Sequence, residues 1–374
     1  MSNSPKMKII FLVSSLGAGG AERVATTLCN AWVARGDQVM LISTFSGGGL
    51  PFYEVLSAVD LVSLADLVPS KSKTLVSYVW RFFTLRKLIV KNNPDVIISF
   101  LPNVNVAAII STRLLGIPVI CCERRDPLSQ PMSYFWEFVC QITYRFADML
   151  VVQTESVAKT IGQLYPHLKK IRTVANPLSD KTLSIEVKEV TKARKNLLSL
   201  GRLSDEKQVA IIINLFGKLA PDYPDWDLRI YGDGPMRDQL ESQIYSLGLQ
   251  HSAFLMGGTN TPWVAMFEAD VFVMASKCEG FPNTLLEAMG IGLPCVVYDC
   301  LSGPRDITLD GKYAFLVKLD DEVMLESKLR ELMDDEILRK QMGKKARDSV
   351  MARFSLPSVI AKWDLLFHEV GITR

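Results

Sequence analysis

The 374-residue chain has little of what marks a metal site or a disulfide framework. Its seven cysteines (Cys29, Cys121, Cys122, Cys140, Cys278, Cys295 and Cys300) include no CxxC spacing, their number is odd, and His167, His251 and His368 lie far from any cysteine in the sequence. This argues against a zinc site and against structural disulfides, and implies reduced thiols in a cytosol. There is no low-complexity tract, and a composition of 48% hydrophobic and 22% charged residues fits neither a disordered nor a fibrous chain. No run approaches the roughly 20 apolar residues of a membrane-spanning helix. The early run from Ile9 to Val13 stops in a glycine turn, short of the roughly 7–15 residues of a signal core. The expected location is therefore the cytoplasm. A pI near 8.1, without a recognition motif, gives no reason to expect nucleic-acid binding.

What the chain does have is alternation. Short apolar runs rich in β-branched residues alternate with helical patterns, the signature of βαβ units and parallel sheets. Strands are predicted at residues 8–13, 37–42, 95–99, 117–121 and 148–152, and again at 196–200, 227–231, 252–256, 270–274 and 294–298. Two such series predict an α/β protein of two doubly wound, Rossmann-like domains. A polar stretch without periodicity at 180–194 is read as the linker. This gives a first domain at 1–185, a second at 186–355, and a final helix at 356–374 that packs toward the first. Net charge is +2 overall, yet residues 1–181 hold 19 Lys and Arg against 12 Asp and Glu, whereas the remainder holds 23 against 28. The basic first half suggests an anionic partner or surface.

Ligands of open α/β sheets bind beyond the carboxyl ends of strands, so the strand-to-helix turns are the places to look. Four stand out. Gly17-Ala18-Gly19-Gly20-Ala21-Glu22-Arg23 follows the first strand, and its glycines let backbone N–H groups approach an anion at a helix start. The same glycines would also serve a tight turn with no ligand. As a dinucleotide fingerprint it fails, with Glu22 in place of the last glycine. Gly201-Arg202, with Lys207 five residues on, can converge on a diphosphate, the arginine as a planar fork and the lysine as a point charge. Tyr231-Gly232-Asp233-Gly234-Pro235 offers small residues for a close backbone approach by a ligand. Most informative is Glu279-Gly280-Phe281-Pro282-Asn283-Thr284-Leu285-Leu286-Glu287. Pro282 suits a first helical position, so a helix N-terminus would lie between the carboxylates of Glu279 and Glu287.

Taken together, the Glu279…Glu287 pair, the Gly201-Arg202…Lys207 element, the Gly-Asp-Gly-Pro turn and the Gly-Gly-Ala-Glu-Arg loop resemble, in kind and order, the retaining glycosyltransferases of family 4. The likeness covers nearly the whole chain. It implies a GT-B fold of two Rossmann-like domains facing a cleft, and most resembles members that build lipopolysaccharide, capsule, exopolysaccharide and N-glycan precursors. By that resemblance Arg202 and Lys207 bind the donor diphosphate and Glu287 the ribose. Glu279 touches the transferred sugar, and Gly19, Gly20, Gly232, Asp233, Asn283, Thr284 and Leu285 line the donor site. The resemblance also implies a UDP-sugar rather than a GDP-sugar donor, no metal or other cofactor, and a glycan acceptor on a polyprenyl diphosphate. Epimerases, phosphorylases and non-catalytic sugar-binding proteins share this architecture; the intact Arg202, Lys207, Glu279 and Glu287 argue against a degenerate binder.

One departure is informative. Where many members carry a histidine after the fourth strand of the first series, this chain reads Glu123-Arg124-Arg125-Asp126, so Arg124 or Arg125 stands in as the catalytic or acceptor-binding group. Finally, residues 71–91 combine Lys71, Lys73, Arg81, Arg86, Lys87 and Lys91 with aromatic and aliphatic residues. That pattern suits an anionic membrane surface, and predicts a peripheral protein at the cytoplasmic face of the membrane.

Overall fold

The computed structural model describes residues 6–45, 49–68, 75–128, 131–168, 170–179 and 194–372. The chain forms two compact units, Met1–Pro177 together with Leu356–Arg374, and Leu178–Ser355. The first therefore ends eight residues before the position expected from sequence. The expected linker at 180–194 lies outside the described residues except for Arg194.

The first unit is built on a seven-stranded parallel sheet. Its strands are β1 (Lys8–Val13), β2 (Gln38–Ser43), β3 (Asp60–Ser63), β4 (Val96–Phe100), β5 (Val119–Cys122), β6 (Met149–Val152) and β7 (Ile171–Thr173), in the order β3-β2-β1-β4-β5-β6-β7. A parallel sheet is covered on both faces, so its central strands read as unbroken apolar runs. Successive residues still point to opposite sides. Ile9, Phe11 and Val13 enter one core, whereas Ile10 and Leu12 enter the other.

On the first face lie helix α1 (Gly20–Ala34) and the C-terminal helix Leu356–Glu369. Trp363 and Phe367 of the latter pack on Trp32, each with ring centroids 5.7 Å away. Arg35 donates to Asp364 at 2.8 Å, and Lys170 to the carbonyl of Glu369 at 2.6 Å. On the second face lie α2 (Leu75–Asn92), α3 (Pro102–Thr112) and α4 (Tyr134–Tyr144).

Helix α2 corrects part of the basic-segment reading. Ser77, Arg81, Leu85 and Ile89, spaced four apart, form its buried stripe. Arg81 donates to the carbonyl of Thr44 at 3.0 Å, and Arg86 to that of Ser111 at 2.8 Å. Both side chains act within the protein, because each tops up helix-end or strand-end carbonyls that the main chain leaves open. Lys71 and Lys73 lie outside the described residues, and Lys87 and Lys91 are exposed.

The second unit carries a six-stranded parallel sheet of β8 (Lys195–Leu200), β9 (Trp226–Tyr231), β10 (Ala253–Gly257), β11 (Val271–Met274), β12 (Cys295–Asp299) and β13 (Phe315–Lys318). Their order is β10-β9-β8-β11-β12-β13. Helices Glu322–Asp334 and Glu336–Phe354 follow, each opened by an aspartate whose carboxylate accepts an N–H three residues on, Asp321 from Met324 and Asp335 from Leu338. In each sheet the strand order reverses once, between β1 and β4 and between β8 and β11. These are the two switch points at which such sheets open a crevice.

Candidate functional site

In the second unit the loops after β8 and β11 meet at the switch point. The β8 loop holds Gly201, Arg202 and a short turn at Asp205–Lys207; the β11 loop runs from Ala275 into the helix Asn283–Ile291. The N–H of Lys277 donates to the carbonyl of Glu206 at 2.8 Å, which fixes one loop to the other. Beside it the ammonium of Lys207 donates to Oε1 of Glu279 at 2.6 Å. Glu279 is buried and Lys207 partly so. Oε2 of Glu279 accepts no hydrogen bond from any described residue, and Arg202 projects from the same loop, exposed.

The helix after Glu279 starts one residue later than expected. Pro282 is its N-cap, with φ −73° and ψ 92°, and Asn283 is the first helical residue. The extended ψ is the reason: proline ends the loop instead of opening the helix. The first helical hydrogen bond runs from Leu286 to Pro282, at 3.1 Å, so Asn283, Thr284 and Leu285 supply the N–H groups of the N-terminal turn, beside Glu279 in the chain. Glu287 lies one turn further in and is buried.

Two residues from the loop after β12, Ser302 and Gly303, hold this turn. Ser302 Oγ donates to the carbonyl of Gly280 at 2.9 Å. Gly303, at φ +94°, packs so tightly that a Cβ would lie 2.4 Å from Pro282 Cδ. On the other side Phe281 packs edge-on against Phe354, ring centroids 6.0 Å apart. The Gly-Pro that opens the next helix at Pro304 was the only local signal.

The Gly-Asp-Gly-Pro turn packs closely against the protein itself. A Cβ on Gly232 (φ +146°) would lie 1.8 Å from the carbonyl oxygen of Gly201, and one on Gly234 2.3 Å from that of Leu203. A close backbone approach is thus made here by the β8 loop. Asp233 is likewise engaged by the protein: its carboxylate accepts from the N–H of Gly258 at 2.7 Å and from Arg237 at 3.3 Å. The turn buttresses the loop that carries Arg202.

At the switch point of the first unit, Gly19 caps α1 and Gly20 is its first residue. Glu22 folds back so that its Oε2 would lie 2.1 Å from a Cβ on Gly19, and its Oε1 accepts from Ser15 Oγ at 2.8 Å. A carboxylate at a helix N-terminus satisfies the positive end of the dipole. Alongside, Ser15, Gly17, Ser43, Leu50, Ser63 and Asp66 line a groove of about 470 Å³.

Arg124 and Arg125 separate clearly. Arg125 faces Glu123, Nε to Oε2 at 3.5 Å, and Glu123 is buried in a polar cluster in which the Tyr144 hydroxyl donates to it. Tyr144 in turn accepts from Asn105 at 3.1 Å. Burial raises the Glu123 carboxyl, opposed by the nearby Arg125 guanidinium and by the hydrogen bonds it accepts. Arg124 lies flat over Phe100 at 3.7 Å and donates to Asn176 at 2.8 Å. Burial pulls it down to about 10, so it stays cationic at neutral pH. Among the described residues, no group of three or more His, Cys, Asp or Glu is placed to hold a metal ion.

With paired switch points on two parallel sheets, and Lys207, Glu279 and a helix start gathered at one of them, the class is that of a GT-B glycosyltransferase. Family comparison agrees: the model described as Glycosyltransferase Family 4 matches residues 18–181, and that described as Glycosyl transferases group 1 matches residues 180–349. The chain belongs to glycosyltransferase family 4 and is a transferase enzyme.

A Campylobacter jejuni relative, the GalNAc-alpha-(1->4)-GalNAc-alpha-(1->3)-diNAcBac-PP-undecaprenol alpha-1,4-N-acetyl-D-galactosaminyltransferase, is 28% identical over 370 residues, 97% of this chain and 99% of its own. The amylovoran biosynthesis glycosyltransferase AmsD of Erwinia amylovora is 25% identical over 364 residues, covering 96% and 98%. Among solved structures, Anabaena Alr3699/HepE in complex with UDP and glucose superposes with a TM-score of 0.79 at 17% identity, over 97% of this chain and 99% of that one.

Proposed function

We propose that the enzyme transfers a hexose or N-acetylhexosamine from a UDP-sugar, with retention of the anomeric configuration, to a glycan carried on a polyprenyl diphosphate, in the assembly of a cell-surface polysaccharide. The observation that carries this reading is the Lys207–Glu279 pair at the β8/β11 switch point, with Arg202 and the start of the helix Asn283–Ile291 beside it. Lys207, Arg202 and the N–H groups of Asn283, Thr284 and Leu285 meet the donor diphosphate and stabilise the charge it gains on departure. Glu287 takes the ribose.

Glu279 orients the sugar. Its Oε1 is held by Lys207, which leaves Oε2 to accept from a sugar hydroxyl; a carboxylate so paired is a poor nucleophile. The C1–O bond to the diphosphate breaks while the acceptor oxygen bonds to C1 on the same face, and the acceptor's proton passes to the leaving phosphate. The positive groups supply what a divalent cation would otherwise supply, so no metal is required. Arg124, cationic and beside the β5 loop, serves an acceptor phosphate; Arg125 positions that loop through Glu123. The C. jejuni relative's lipid-linked acceptor and the UDP bound by the Anabaena protein support the choice of acceptor and donor class. The enzyme works at the cytoplasmic face of the membrane, where such acceptors are displayed; no helix among the described residues is long and apolar enough to cross a bilayer.

The test is a panel of UDP- and GDP-sugars scored for donor hydrolysis and for transfer to a polyprenyl-diphosphate glycan, with the product's anomeric configuration read by NMR. Hydrolysis of a UDP-sugar that survives excess EDTA, with an α-linked product from an α-linked donor, supports the reading. Restoration by Mn²⁺ after EDTA, or an inverted product, overturns the mechanism.

A further inference from the structure

We propose that α4, with the adjoining ends of α2 and α3, is a lipid-insertion surface that seats the first unit on an anionic bilayer. The proposal rests on the membrane-peripheral reading above and moves its main contact from the basic segment to a helix the sequence did not single out. Helix α4 buries Cys140, Thr143 and Tyr144 against the sheet. Its opposite face should then be polar in a helix facing water alone. Instead it exposes Tyr134 (92%), Phe135 (67%), Phe138 (61%) and Ile142 (42%), and just beyond its end Phe146.

The apolar face continues onto its neighbours. Helix α3 ends in exposed Ile110 and Leu114, and α2 shows Trp80, Phe83 and Val90. The three ends are tied together: Arg86 of α2 donates to the carbonyls of Ser111 and Arg113 at 2.8 and 3.0 Å, and the Arg113 guanidinium lies 4.0 Å over the Phe146 ring. An exposed apolar area of this extent marks an interaction surface.

Its charge selects the occupant. Between Asp66 and Glu123, the stretch that carries α2 and α3, the chain holds seven Lys and Arg and a single acid, Asp95; α4 itself carries one acid, Glu137. Lys87, Lys91, Arg113 and Arg145 are exposed around the aromatic residues. Aromatic rings with basic groups at their edge are what the headgroup region of an anionic bilayer takes: rings settle at the depth of the glycerol backbone while Lys and Arg reach the phosphates. A second copy would set basic residue against basic residue.

The test is co-sedimentation of the full chain with vesicles of phosphatidylglycerol and phosphatidylcholine, and with phosphatidylcholine alone. Wild type is expected to bind the anionic vesicles and, once inserted, to keep part of that binding at about 1 M salt, where the Debye length is about 3 Å. Phe138→Glu combined with Ile142→Glu is expected to raise the lipid needed for half-binding by about tenfold or more, with donor hydrolysis unchanged because neither residue touches the Lys207 site. Phe138→Trp is expected to keep binding. Wild-type binding by the double variant overturns the proposal, as does a wild-type dimer by light scattering that the double variant converts to monomer. Binding through α4 without transfer to a lipid-linked acceptor would leave this inference standing and sink the acceptor reading; transfer without α4-dependent binding would do the reverse.

Discussion

The two switch points of this molecule share a topology and differ in what they hold. Between β8 and β11, opposite charges from loops 72 residues apart come within 2.6 Å, and the second carboxylate oxygen accepts no hydrogen bond from any described residue. Between β1 and β4, the chain's own Glu22 folds back beside Gly19 at the helix start and accepts from Ser15. A glycine-rich turn before a helix therefore does not by itself mark an anion site. What distinguishes the β8/β11 switch point is a cation and a carboxylate drawn together from two strand ends.

This difference can be broken or sharpened by substitution. The largest effect is expected at the charged loop: Arg202→Ala or Lys207→Ala should lower turnover by about 10²–10³, the range for removing one donor to a developing negative charge. Steady-state rates within threefold of wild type would remove these residues from the donor site. Next is Gly232→Ala, which sets a Cβ against the Gly201 carbonyl at a positive φ. We expect a loss of about 3 kcal/mol or more in denaturant unfolding, and an unchanged unfolding midpoint would show that the β8 loop is free to yield. Glu287→Ala should raise the donor KM by about tenfold while kcat holds, as for a group that binds ground and transition states alike; a pure kcat defect would make it part of the chemistry. The smallest effect is expected at the other switch point. Glu22→Ala should reduce stability by about 1 kcal/mol, the scale of a helix-end carboxylate and its hydrogen bond, without changing donor KM. A tenfold change in donor KM there would erase the contrast between the two sites.

Much of this was legible from sequence, and the exceptions have physical causes. Every interior strand was predicted within two residues, because strands buried on both faces are written as apolar runs. The strands missed were β3, β7 and β13, all at sheet edges, three or four residues long and only partly buried. Edge strands need no apolar run and often avoid one. Lys207 and Glu279 were nominated by their motifs, but their pairing depends on β8 lying beside β11, which no local pattern states. Arg81 reads as a surface cation by composition, although its spacing of four from Ser77 and Leu85, with Ile89 four further on, places it on the buried stripe. At Gly232 a tight approach was visible in the sequence, but not that the Gly201 backbone makes it. The aromatic face of α4 went unremarked because exposure, not composition, makes it unusual.

The most direct measurement is calorimetric titration of UDP into the wild-type chain and into Arg202→Ala and Lys207→Ala. Binding in the wild type, weakened at least about tenfold in each variant and unchanged in Glu22→Ala, is the expected result for a donor diphosphate seated at the β8/β11 switch point. Equal affinity in all four proteins, or a loss confined to Glu22→Ala, would contradict it and move the donor to the first unit.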